Sequence, residues 1–143
     1  MKIVFVDFDG MLNTFPHNGN GLKLEKVPVI NLEYLLKKVK GLKIVVSSAW
    51  RSHGLEFCRE ALKEHGIDPR KVVGITGEEL LGTKMHRGNQ IECWLARHPS
   101  VKDFVILDDS RDMEPFLDKL VRTSPMVGLT QDDVEKAISI LGE

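Results

Sequence analysis

The chain has 143 residues, 42% of them hydrophobic, and its 20 basic and 21 acidic side chains leave a net charge of −1 with histidine neutral. A chain of this length can bury a sizeable core, and we expect one domain over residues 1–143. The balanced charge gives no electrostatic argument for an obligate nucleic-acid partner or for an anionic membrane, and it leaves the oligomeric state open.

The sequence lacks the usual marks of export or membrane insertion. The apolar run at residues 3–6 is too short for a signal peptide, and an acidic residue, Asp7, ends it. No stretch approaches the roughly 18 apolar residues that a membrane span needs. Cys58 and Cys93 are far apart in the sequence and neither belongs to a CxxC pair, which is typical of thiols in a reducing compartment. We therefore expect a cytoplasmic protein without a membrane partner.

Strand and helix patterns alternate along the whole chain. In chain order they predict a strand over residues 2–6, a loop or small flap over 13–27, a helix over 29–39, a strand over 42–46, a helix over 54–65, a strand over 71–75, a helix over 88–97, a strand over 103–107, a short helix over 114–119, an edge strand from 120–121 and a last helix after Thr130. This alternation predicts an α/β fold with a mostly parallel sheet.

Polar side chains follow three of the predicted strands at the point where each strand ends. They are Asp7, Asp9, Ser47, Ser48, Asp108 and Asp109. At any single position such residues are common, because they make turns and cap helices. Four carboxylates at one edge of a sheet would repel one another unless a cation lay among them. Oxygen ligands of this kind suit Mg²⁺, so we expect magnesium as the cofactor.

Phosphoryl transfer accounts for these residue types together. A carboxylate can attack phosphorus, and a second acid two residues further on can protonate the leaving group and later activate water. Serine hydroxyls and a basic side chain can hold the phosphoryl oxygens. Arg87 lies just before the helix that leads into the fourth strand and is well placed for this role, with Lys84 as the second candidate.

The order Asp-x-Asp-Gly, strand-Ser, basic residue, strand-Asp-Asp resembles the haloacid dehalogenase-like (HAD) phosphatase superfamily over nearly the whole chain. Four segments resemble more narrowly the HAD domains of Swiss Army Knife RNA repair proteins: Ser47–Arg51, Arg87–Leu95, Phe104–Asp109 and Gly128–Thr130. The resemblance implies a three-layer, Rossmann-like parallel sheet with the first strand central and helices on both faces.

The resemblance also implies a role for each site residue. Asp7 is expected to be the nucleophile and a metal ligand. Asp9 is the expected general acid and base, and its backbone carbonyl faces the metal. Either Ser47 or Ser48 binds the phosphoryl group, and Arg87 takes the place of the usual basic residue. Asp108 and Asp109 complete the metal shell. Further candidates for substrate contact are Gly10, Arg51 and Lys84.

Both acids of the first motif are present, which favours phosphatase or phosphotransferase chemistry over dehalogenation. The intervals from Asp9 to Ser47 and from Arg51 to Arg87 are too short for a cap domain in addition to the predicted elements. An open site of this kind admits bulky substrates such as a nucleic-acid end or a phosphoprotein. Whether the substrate is a nucleic-acid end or a small phosphorylated molecule stays open. The sequence thus predicts a magnesium-dependent phosphomonoesterase that acts through an aspartyl phosphate. The alternative is a weakly catalytic accessory module that binds metal or phosphate.

Overall fold

A five-stranded sheet organises the computed structural model, which describes residues 1–14, 23–48, 53–77 and 86–142. The strands are β1 (Lys2–Val6), β2 (Lys43–Val46), β3 (Val72–Ile75), β4 (Asp103–Asp108) and β5 (Leu120–Arg122). Their spatial order is β3-β2-β1-β4-β5, and every neighbouring pair is parallel. Each predicted strand is confirmed, and β1 occupies the predicted central position.

Within the described part of the chain, four α-helices connect or follow the strands. They are α1 (Lys26–Lys38), α2 (Leu55–Lys63), α3 (Arg87–Ala96) and α4 (Gln131–Ile140). A capping box begins α4, since the Thr130 side chain accepts from the backbone N–H of Asp133 and the Asp133 side chain accepts from that of Thr130. Two short 3₁₀ turns, Pro69–Lys71 and Leu117–Lys119, complete the described elements.

Two of the predicted elements differ in the structure. The helix expected over 114–119 is wrong, because only Leu117–Lys119 is helical, and as a 3₁₀ turn. Pro115 has no N–H to donate and disfavours a helical conformation at the residue before it. Helix α1 begins at Lys26, so it takes over the end of the segment 13–27 predicted as a loop. Residues 15–22 of that segment lie outside the described part of the chain.

The core has one layer on each face of the sheet, as expected for a three-layer fold. Val4 and Val6 of β1 face a large cluster formed with α1, α2 and α4. Alternate residues of a strand point to opposite faces, and Phe5 accordingly packs with Ile91 and Trp94 of α3. The rings of Phe5 and Trp94 meet edge to face at 5.5 Å. Helices therefore cover both faces of the sheet.

No separate cap domain is present among the described residues, in agreement with the prediction. In that same part of the chain, no helix combines the length and the apolar character needed to cross a membrane. The sheet and its helices thus leave the carboxyl edge of β1, β2 and β4 as the place where the predicted site residues meet.

Candidate active site

The ends of the three central strands bring their polar side chains together. The backbone N–H of Asp7 donates to the carbonyl of Leu107 at 3.0 Å, and that of Ser47 donates to the carbonyl of Val6 at 2.9 Å. One carboxylate oxygen each from Asp7, Asp108 and Asp109 lies within 4.8 Å of the others. Asp7 and Asp108 are buried, with 3% and 0% exposure. We call these three side chains the acidic cluster.

Arg87, the first residue of α3, contacts two carboxylates of the acidic cluster. Its Nη1 donates to Oδ2 of Asp108 and to the backbone carbonyl of Ser47, both at 2.7 Å, and it lies 3.2 Å from Oδ1 of Asp7. Burial opposes the positive charge, but the carboxylates of Asp108 and Asp7 outweigh it and raise the pKa of the guanidinium. Arg87 thus stands where the sequence placed the basic residue. The other candidate, Lys84, lies outside the described residues.

Gly88 explains how α3 brings Arg87 so close. Its N–H donates to the carbonyl of Asp112 at 3.0 Å, so the first turn of α3 rests on the loop after β4. A Cβ at position 88 would lie 2.6 Å from the carbonyl carbon of Met113 and closer still to the carbonyl oxygen of Glu114. Sequence reasoning missed Gly88. Its only signal is a glycine in the first turn of a helical pattern, which often marks close backbone packing.

The acidic cluster carries more negative charge than Arg87 neutralises. Burial and the neighbouring carboxylate of Asp108 raise the pKa of Asp7 to about 8. Burial also raises the pKa of Asp108, to about 6, although Arg87 opposes the shift. Three carboxylates against one guanidinium leave an excess of negative charge that a divalent cation would balance. Because the donors are all oxygen atoms, the residues fit Mg²⁺.

Gly10 allows the acidic turn after β1, residues 7–10, to lie close to Asp109 of the acidic cluster. Its φ of +81° is rare for residues with a side chain, and a Cβ here would collide with the carboxylate of Asp109. Its N–H donates to Oδ1 of Asn13 at 2.9 Å, and its carbonyl accepts from Oγ1 of Thr123 at 3.1 Å. The turn is therefore fixed within the protein, and the substrate contact expected of Gly10 stays a prediction.

The Asp9 carboxylate lies apart from the acidic cluster and contacts a residue that sequence reasoning missed. Its Oδ1 accepts from Nδ2 of Asn13 at 3.0 Å. Asn13 appeared in the sequence only as one polar residue of a predicted loop. An Asn near an acidic turn is a weak signal, because Asn side chains commonly bond to nearby backbone groups. The metal role expected of Asp9 through its backbone carbonyl stays a prediction.

The two serines after β2 are both buried, and the hydroxyl of Ser47 stands out. Within the described part of the chain, Ser47 Oγ has no hydrogen-bond partner although it is shielded from solvent. Buried hydroxyls are normally bonded, so this atom can accept or donate to a ligand. Thr76, whose N–H donates to the carbonyl of Val46 at 3.0 Å, has a buried hydroxyl in the same state. Sequence reasoning did not single out Thr76.

Arg51, the remaining candidate for substrate contact, lies outside the described residues. The described candidates divide into two groups. The structure brings Asp7, Asp108, Asp109 and Arg87 into one cluster, with Ser47 beside it. The Asp9 carboxylate lies apart from this cluster, on the turn that Gly10 makes.

A parallel sheet with helices on both faces and this arrangement of acids at its carboxyl edge define a HAD-like domain. A family model described as the HAD domain in Swiss Army Knife RNA repair proteins matches residues 3–134. The chain belongs to this family, which suggests a phosphatase-type or related activity. No curated protein is significantly similar to the chain in sequence.

Proposed function

We propose that the protein is a magnesium-dependent phosphomonoesterase that forms an aspartyl phosphate on Asp7. The observation that carries the proposal is the contact of one guanidinium, that of Arg87, with both Asp7 and Asp108 at the carboxyl edge of the sheet. A basic group beside a nucleophilic carboxylate is what attack on an anionic phosphate requires, because it offsets the repulsion between the two negative charges.

In the first step, a carboxylate oxygen of Asp7 attacks phosphorus, and the bond from phosphorus to the leaving oxygen breaks. Asp9 donates a proton to that oxygen as it departs. Arg87 holds the phosphoryl oxygens, and the Ser47 hydroxyl is free to donate a hydrogen bond to them. In the second step, Asp9 takes a proton from water, the water attacks phosphorus, and phosphate leaves with Asp7 restored.

Asp7, Asp108 and Asp109 would hold the metal ion. When bound, Mg²⁺ would balance the charge of the acidic cluster and of the phosphoryl group.

The substrate is proposed to be a phosphorylated small molecule or a nucleic-acid end. The family description names RNA repair proteins, and an active site without a cap among the described residues suits a bulky end. The net charge of −1, by contrast, leans away from a nucleic-acid end. Neither Cys58 nor Cys93 forms a disulfide within the described part of the chain, which is consistent with the cytoplasmic location that we propose.

Phosphate release from p-nitrophenyl phosphate, nucleotides, sugar phosphates and 3′- and 5′-phosphorylated oligonucleotides tests the proposal. We expect turnover that needs Mg²⁺ and is lost in Asp7→Asn. Asp118→Asn changes an exposed acid in the 3₁₀ turn before β5, outside the acidic cluster, and should retain wild-type activity. Wild-type inactivity on the whole panel, with Mg²⁺ bound, would reject the proposal and favour the accessory module.

A further inference from the structure

Asn13 is a buried polar residue whose hydrogen-bonding groups are all used. It is 1% exposed. Its Oδ1 accepts from the N–H of Gly10 at 2.9 Å, while its Nδ2 donates to Oδ1 of Asp9 and to the carbonyl of Lys23, both at 3.0 Å. An amide nitrogen has two hydrogens to donate, so these contacts satisfy both. The carboxamide is therefore held in one orientation.

The bond from Asn13 to Gly10 fixes the amide relative to the nucleophile. Gly10 is three residues after Asp7, and its turn is also held by Thr123. The amide thus links the rigid acidic turn to the Asp9 side chain, which is only half-buried. A half-buried carboxylate has several accessible rotamers unless a partner selects one. Asn13 is such a partner.

We propose that Asn13 is a positioning residue that holds the Asp9 carboxylate at the leaving-group oxygen. This inference rests on the proposed function, in which Asp9 protonates that oxygen. A basic alkoxide needs a proton from Asp9 in order to leave, whereas p-nitrophenolate leaves almost as readily without one. Displacing Asp9 should therefore slow the departure of the alkoxide far more than that of p-nitrophenolate. The contribution of Asn13 should therefore depend on the leaving group.

The test compares kcat/KM for p-nitrophenyl phosphate and for a simple alkyl phosphate. This parameter covers the steps through departure of the leaving group and excludes the later attack by water. In Asn13→Ala we expect kcat/KM to fall about 10- to 100-fold for the alkyl phosphate and less than about threefold for the aryl phosphate. The loss is smaller than the full contribution of a general acid, because the variant displaces Asp9 without removing it.

Two further variants separate positioning from folding. Asn13→Asp keeps an oxygen that can accept from Gly10 but removes the donor to Asp9, so it should show the same selective loss. Thr14→Ala is the matched control. The Thr14 hydroxyl donates to the Glu25 carboxylate at 2.8 Å. Like the contact between Asn13 and Lys23, this bond connects the residues just after the Gly10 turn with those just before α1. Since no described contact links Thr14 to Asp9, the ratio of the two kcat/KM values should stay that of the wild type.

Equal losses on the two substrates, or none, in both Asn13 variants would overturn the inference. A second readout is independent of activity: crystal structures of the wild type and Asn13→Ala should show the Asp9 side chain leaving its rotamer in the variant. An unchanged rotamer would overturn the role of Asn13. If the wild type hydrolyses no phosphate, the proposed function fails by itself, and the rotamer alone decides whether Asn13 positions Asp9.

Discussion

Gly88→Ala tests whether α3 rests on the loop after β4 as closely as the structure shows. For an ordinary glycine within a helix, alanine would stabilise the protein by up to about 1 kcal/mol, because it restricts the unfolded chain and favours the helix. Here the new Cβ would meet the backbone of Met113 and Glu114. Backbone atoms cannot rotate away as a side chain can, so the structure predicts the opposite sign.

The magnitude follows from the two opposing effects. Overpacking typically costs about 1–3 kcal/mol and sometimes more. Contacts this close with backbone atoms place the cost in the upper part of that range, about 2–3 kcal/mol. With a gain in helix propensity of about 1 kcal/mol subtracted, we expect a net loss of about 1–2 kcal/mol. For a chain of this size, each 1 kcal/mol lowers the melting temperature by roughly 4 °C. Because the clash moves the first turn of α3, Arg87 should shift as well, and kcat/KM should fall at least about tenfold.

Thermal and urea unfolding followed by circular dichroism measure the effect. Asn89→Ala is the matched control in the same turn of α3. Position 89 already carries a Cβ, and among the described residues its side chain makes one long hydrogen bond, of 3.3 Å, with Glu92. We expect its stability to stay within about 0.5 kcal/mol of the wild type. A Gly88→Ala protein as stable as the wild type, or more stable, would refute the close packing and this explanation of how Arg87 is placed.

Three further predictions concern the cap of α4, an ion pair and the metal site. Thr130→Ala removes the side chain that accepts from Asp133 and should lower the unfolding free energy in urea by about 1 kcal/mol. Burial alone would raise the pKa of Asp103, but the hydrogen bonds from Lys119 and from the backbone N–H of Phe104, together with the charges of Lys119 and Lys2, outweigh it and lower that pKa. Asp103→Asn should therefore cost at most about 1 kcal/mol at pH 7, and the difference in urea midpoint should vanish as the pH falls below about 4. The pKa values of Asp7 (about 8) and Asp108 (about 6) in the folded protein are raised, so the unfolded chain loses these two protons at a lower pH than the folded protein does. Metal-free protein should thus lose stability as the pH rises from about 4 to 8, and Mg²⁺ should raise the melting temperature more at pH 8 than at pH 5; an equal or smaller rise at pH 8 would contradict the metal site.

The main features of the fold and the acidic cluster were predictable from local patterns. Short apolar runs define the strands, and each of the central strands passes straight into polar residues where it leaves the core. Asp7, Ser47 and Asp108 could be found in this way because parallel strands end at the same edge of a sheet. The position of Arg87 followed from its place at the start of a helix.

Other features depend on contacts that no local pattern encodes. The need for glycine at position 88 arises from a loop more than twenty residues away in the sequence. The role of Asn13 depends on the turn at Gly10 and on Lys23 across the segment. The helix predicted over 114–119 is absent for a local reason. The prediction did not take into account that Pro115 disfavours a helical conformation at the residue before it.

The central claim is that Asp7 carries the phosphoryl group during turnover. Its most direct test is rapid acid quenching of the enzyme during turnover with Mg²⁺, borohydride reduction of any acyl phosphate, and mass spectrometry of the peptide that contains Asp7. The account predicts conversion of Asp7 to homoserine only when both substrate and Mg²⁺ are present, with none in Asp7→Asn. Turnover that leaves Asp7 unmodified while another carboxylate, such as Asp108, is reduced would contradict it.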